Sequence, residues 1–115
     1  MSFTAPERAS MLRIYPVVLE VLGELQPVVG VIERRDRDLA RQLRRCSASV
    51  ALNLAEGMYS RGANRQARYH SALGSARETL ACLEVAQHCR YIAGASAQLH
   101  AQLNRVIGTL VRLVA

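Results

Sequence analysis

The stretch Asp36–Gly57, DRDLARQLRRCSASVALNLAEG, decides the fold. Leu39, Leu43, Cys46, Val50, Asn53 and Gly57 recur at steps of three and four, the repeat that lays one side of a helix along a bundle seam. Asp36 precedes the first apolar position, where a carboxylate accepts from the free amides of an opening helical turn, and Asp38 suits the positive end of the helix dipole. This spacing predicts a helix that starts at Asp36 and ends by Gly62.

Three further helices follow on either side. Downstream, Asn64 is placed to cap a third helix whose inner face is Tyr69, Leu73, Ala76, Leu80 and Leu83. Tyr91-Ile92-Ala93-Gly94 reads as its stop, with Gly94 as a left-handed C-cap. Ser96 opens a fourth helix, with Leu99, Leu103, Val106, Leu110 and Leu113 on one seam. Upstream, Thr4-Ala5-Pro6-Glu7 has capping-box spacing, and Tyr15, Val18, Leu22, Leu25 and Val29 form one helical face. Pro16 and Pro27 each remove a hydrogen bond from that first helix. They predict a bend, or a separate leading turn over residues 4–14. Connections this short force neighbouring helices to run antiparallel, so the expectation is an all-α, up-down-up-down four-helix bundle, one domain spanning residues 1–115. Val17, Val21, Val28, Val31, Ile107, Val111 and Val114 lie beside the main stripes. That surplus predicts burial against further copies of the chain, a homo-oligomer.

Composition agrees with helices. The chain of 115 residues suits one domain with one core, and with one Phe, four Tyr and no Trp its apolar mass is Leu, Val and Ala. Three prolines and seven glycines are too few for the turns of a β-sandwich. No uninterrupted apolar run approaches the roughly 18 residues that span a bilayer, and the N-terminal residues lack the layout of a secretory signal, so a cytoplasmic protein without a membrane partner is expected. Cys46, Cys82 and Cys89 read as small buried hydrophobes in a reducing compartment. Cys82 and Cys89 share a helical face but cannot bridge one another.

All fifteen basic residues are arginine, and residues 34–68 hold nine of them against Asp36, Asp38 and Glu56, so the whole net charge of +6 lies in that segment. Within it Asn53 occupies a seam position with Glu56 one turn on. Ser75 and Glu78 form a second polar set on the third helix, beside the small residues Gly74 and Ala76. A buried amide or carboxylate left unpaired costs roughly 1–3 kcal/mol. The economical solution is a network of Asn53, Glu56, Ser75 and Glu78 between the second and third helices, with Arg45 or Arg77 supplying charge. Such a network works as a device that fixes helix register and oligomer state; a catalytic role requires a nucleophile or base poised in a cleft. No Gly-rich phosphate loop, nucleophile elbow or CxxC pair is present, and Glu84 with His88 has no second copy to complete a carboxylate–histidine metal centre. No enzyme, metal or cofactor is expected.

Two motifs carry a family resemblance. Ser49-Val50-x-x-Asn53-Leu54-Ala55-Glu56-Gly57, led by Gln42-Leu43-Arg44-Arg45, and Gly74-Ser75-Ala76-Arg77-Glu78 resemble the signatures of the four-helix-bundle proteins encoded in intervening sequences of bacterial 23S ribosomal RNA genes. The resemblance covers about residues 39–92, and the first helix with its two prolines departs from it. It implies an antiparallel bundle often assembled as a homopentamer. It extends to a related group, the accessory variability proteins of diversity-generating retroelements, which are basic pentamers that bind nucleic acid and a reverse transcriptase.

The arginines supply the functional expectation. Arg37, Arg41 and Arg44 share one side of the second helix, and Arg61, Arg65 and Arg68 follow the same spacing at the start of the third. Were both rows on one end or flank, they would attract the phosphates of RNA or DNA without reading sequence, with Tyr59 available for stacking and Tyr69 better placed in the core. The same arginines would equally meet the acidic surface of a protein partner.

Overall fold

The computed structural model describes residues 5–115 and holds four helices, α1 (Ala5–Glu33), α2 (Arg37–Tyr59), α3 (Gly62–His88) and α4 (Ala97–Val114), with no strand among the described residues. They form an antiparallel bundle in which α1 packs on α2 and α4, and α3 packs on α2 and α4. The expected cap at Thr4 lies outside the described residues.

The helix ends follow local chemistry. Asp36 accepts from the Leu39 amide at 2.9 Å and Ser96 from the Leu99 amide at 3.0 Å, so α2 and α4 begin where side-chain acceptors satisfy their first turns. The start of α3 differs from expectation. Asn64 sits inside the first turn and donates to Ser60 Oγ at 3.3 Å, while Arg61 occupies the cap position without a side-chain bond. A left-handed Gly62, φ 58°, allows the chain to reverse this tightly after α2. The end of α3 differs too. The left-handed residue is Arg90, φ 62°, rather than Gly94, and the amides of Arg90 and Tyr91 bond back to the carbonyls of Gln87 and Ala86 at 3.0 and 2.9 Å.

Helix α1 is continuous through both prolines. Pro16 and Pro27 fall three turns apart on its exposed side, where an interior proline meets no neighbouring helix. Its buried stripe is Ile14, Val18, Val21, Leu25, Val29 and Ile32. Tyr15 and Leu22, expected at the centre of that stripe, are half-buried at its edge, because α1 turns its apolar side toward both α2 and α4. By length and composition Arg13–Glu33 is apolar enough to cross a membrane; in the bundle its apolar stripe faces the other helices. Of the surplus apolar residues, Val17 and Val21 are core, Val28, Ile107 and Val114 are half-buried, and Val31 and Val111 are exposed.

The core has two parts. Toward the α2–α3 turn, Tyr69 is surrounded by Ile14, Val18, Leu54, Val106 and Leu110; toward the α1–α2 turn, Leu25, Ile32, Leu43, Leu83, Leu99 and Leu103 meet with Cys46 and Cys82. Tyr69 is completely buried with its ring pressed on α2 at Gly57: a Cβ built on Gly57 would lie 2.3 Å from Tyr69 Cε1. No side chain but hydrogen fits there. Gly57→Ala is therefore expected to lose about 1–3 kcal/mol in urea unfolding. In a Tyr69→Leu background, where the ring is gone, the added cost of the same change should fall below about 1 kcal/mol. At the other end of α3, Arg90→Gly relieves a left-handed side chain and should raise stability by up to about 1 kcal/mol, read as a higher denaturant midpoint at unchanged slope.

Candidate functional site

Small side chains allow α2 and α3 to approach closely, and a polar ladder runs between them. Asn53 Nδ2 donates to Ser49 Oγ at 2.9 Å and to the Ser49 carbonyl at 3.0 Å, and Ser75 Oγ donates to Ser49 Oγ at 2.9 Å. Thr79 Oγ1 donates to the Ser75 carbonyl at 2.8 Å and lies 3.3 Å from Cys46 Sγ. The structure thus corrects the expected network. Asn53 is half-buried and bonds within its own helix, and Ser75 reaches Ser49 rather than a carboxylate. Glu56 is exposed and pairs with Arg68 at 3.0 Å, while Arg45, Arg77 and Glu78 are exposed. Leu54 takes the core position to which Asn53 had been assigned. The reason is geometric: a strict three–four repeat drifts around an α-helix, so by its fourth turn Asn53 has rotated from the seam to the rim facing α3. Ser49 and Thr79 were missed because isolated hydroxyls on a helix carry no pattern of their own.

Outside this ladder a shallow trough follows the α2–α3 boundary. Its first part is a cleft of about 550 Å³ lined by Gln42, Arg45, Cys46, Ser49, Ser75 and Glu78. It continues past Leu52, Asn53, Glu56 and Arg68 and ends beside Tyr59 and Ser60. Leu52 and Tyr59 rise on its α2 rim, 66% and 90% exposed. Gly74 is exposed with open space where a Cβ would stand, so no helix of the same subunit exploits its small size.

The two arginine rows are not neighbours. Because α2 and α3 are antiparallel, Arg37, Arg41 and Arg44 lie at the α1–α2 end, and Arg61, Arg65 and Arg68 at the other, roughly 25–30 Å away at 1.5 Å per residue. Arg44 is bound to Glu33, Arg68 to Glu56, and Arg65 Nε donates to the Gly57 carbonyl at 3.2 Å, closing the last turn of α2. Arg37 and Arg41 instead share their end with exposed Arg34 and Arg35 of the α1–α2 turn and with Arg90 at the end of α3. Only the parallel course of α1 and α3 brings Arg90 to that end, and sequence spacing alone does not show it. The charge run 34–37 was the available signal for the other two. Of the two acids among them, Asp36 is occupied by the Leu39 amide and by the Tyr91 hydroxyl, which donates at 3.4 Å, and Asp38 is exposed.

The thiols are poor candidates for chemistry. Burial pushes the Cys46 thiol up, against hydrogen bonds with Thr79 and Cys82 that pull the other way, and burial with the neighbouring Cys46 pushes Cys82 up to about 12. Cys89, which had been assigned to the interior, is exposed just past α3. No group of three or more metal-ligating side chains occurs among the described residues.

A family model described as 23S rRNA-intervening sequence protein matches residues 28–112, which takes in the end of α1, all of α2 and α3 and nearly all of α4. No curated protein and no solved structure matches the chain.

Two measurements test this geometry. Native protein near neutral pH should yield Cys89 alone to a thiol-specific reagent, with Cys46 and Cys82 released only on denaturation. Rapid reaction of either buried thiol would contradict the packing of α2 on α3. The hydrogen bond and charge of Arg44 hold the Glu33 carboxyl below the usual glutamate range. A folded pKa below the unfolded one contributes stability that is present above the unfolded value and lost as pH falls through the folded value. Glu33 should accordingly titrate below an ordinary glutamate by NMR, and Arg44→Gln should return it to the ordinary range.

Proposed function

The chain belongs to the 23S rRNA-intervening sequence protein family, and from that premise we propose a non-enzymatic, self-assembling cytoplasmic bundle that holds nucleic acid by its phosphates. One observation carries the reading: Arg34, Arg35, Arg37, Arg41 and Arg90 are all exposed at the α1–α2 end of the bundle, and of the two acids in their midst Asp36 is turned to hydrogen bonds within the fold, which leaves Asp38 as the one exposed carboxylate against five arginines. Arginine forks at an exposed end suit phosphate oxygens and carry no base code, so binding is indifferent to sequence. The Arg61, Arg65 and Arg68 row contributes less, since Arg65 and Arg68 are engaged by Gly57 and Glu56.

Self-assembly is supported by apolar side chains left in water, among them Leu19, Val31, Leu52, Tyr59 and Val111. The resemblance implies five subunits. In such an assembly the arginine end is repeated in every copy, so weak contacts add through avidity. The raised, enclosed thiols of Cys46 and Cys82, poor nucleophiles near neutral pH, support the non-enzymatic part.

The test is a salt-titrated binding assay with RNA and DNA. A subunit engaging about four phosphates should give a log–log salt slope near −3.6. Arg35→Ala or Arg90→Ala should each make that slope shallower by about 0.9 while the thermal midpoint is held, and Arg61→Ala should change it little. Absence of binding at low salt would overturn the nucleic-acid reading and leave an acidic protein surface as the partner of the same arginines.

A further inference from the structure

We infer that the α2–α3 face pairs with the same face of a second copy about a two-fold axis, an isologous contact separate from the arginine end. This inference rests on the reading that the chain associates with itself, and it names the surface that does so. Four charges stand at the corners of the trough. Arg45 on α2 and Glu78 on α3 line its first part together, and Glu56 on α2 and Arg68 on α3 are paired across its second. Along α2 the order is basic then acidic; along α3, at the same levels, it is acidic then basic. The spacing is nearly equal on the two helices, roughly 16 Å by helical rise.

A rectangle with alternating corners is its own complement. A two-fold axis in the plane of the face, parallel to the helices, sets Arg45 over the second copy's Glu78 and Glu56 over its Arg68. An in-plane axis across the helices sets Arg45 over Glu56 and Glu78 over Arg68. Either way every corner meets an unlike charge, whereas an unrelated partner surface has no reason to carry this pattern. Beside the corners the face exposes apolar side chains that a second copy would cover. Leu52, at 66% exposure, stands on the α2 edge of the rectangle between Arg45 and Glu56, and Tyr59 lies beyond its Glu56–Arg68 end. Exposed Gly74 on α3 leaves open space into which an opposing side chain fits. A face running from Gln42 to Ser60, about 27 Å of helix, over two helices each about 10 Å across covers roughly 500 Å² per subunit. Paired, this reaches about 1,000 Å², the lower limit for a specific interface. Two copies make a dimer; where subunits also close into a ring of five through other faces, this contact joins two rings back to back into ten.

Charge-reversed chains test it in sedimentation velocity on the full protein. Arg45→Glu with Arg68→Glu makes all four corners acidic, and Glu56→Arg with Glu78→Arg makes all four basic. All four positions are surface ones, so helicity should persist in both variants. Each alone should lose the two-fold species, with at least a tenfold weaker association, and an equimolar mixture should restore it as a mixed pair. Leu52→Glu, a change at an exposed position, should likewise abolish pairing without altering the circular dichroism. The inference is overturned if the wild-type assembly contains only an odd-numbered ring, or if both reversed variants associate like wild type. It is overturned equally if their mixture stays apart. A wild-type chain that is monomeric at high concentration removes self-association altogether, whereas loss of pairing alone leaves nucleic-acid binding and ring formation standing.

Discussion

The ring of Tyr69 lies directly on the backbone of α2 at Gly57, and this close approach sets the spacing and register of α2 and α3. A methyl group in place of the glycine hydrogen would force the two helices apart at their turn. With the spacing held, Ser49 and Ser75 come within hydrogen-bond reach one level up, and Thr79 reaches Cys46 a turn further. The trough outside the ladder exists for the same reason, since small residues at the line of contact leave the longer side chains of both helices standing as its walls.

Charge is distributed by the same antiparallel course. A run of arginines that is continuous along residues 34–68 becomes, in space, a basic end and a distant second row. At the basic end the arginines mostly face water, and the helix cap uses up Asp36, one of the two acids among them. In the second row and along α2 the arginines are tied to Glu33, Glu56 and a helix carbonyl. An exposed ion pair of this kind contributes little to stability. Its consequence is to balance the charge of those arginines against phosphates and to leave the α2–α3 face close to neutral.

The molecule thus has surfaces of different character built on one rigid frame. The α1–α2 end is cationic and polar, suited to phosphates under conditions where salt does not screen it. The α2–α3 side carries balanced charges around exposed Leu52 and Tyr59, suited to a protein surface of matching pattern. The interior holds its thiols neutral and enclosed, which suits a structural role for Cys46 and Cys82.

Helix number, the caps at Asp36 and Ser96 and the seam of α4 were legible in the sequence, because they depend on contacts within a few residues along the chain. Leu99, Leu103, Val106, Leu110 and Leu113 are all buried, as their spacing requires. Membership of the family was legible as well, in the motifs around Asn53–Gly57 and Gly74–Glu78. The positions of Asn53 and Glu56 relative to the core were not, since a rotation of part of a turn moves a residue from seam to rim and periodicity does not resolve it. Nor was the separation of the two arginine rows, or the arrival of Arg90 beside Arg35, because distance in space between helices is set by their direction and packing. Local hydrogen bonding and hydrophobic spacing determined the four rods. Only the close packing of α2 on α3 decided which of their polar residues meet each other and which are left to meet something else.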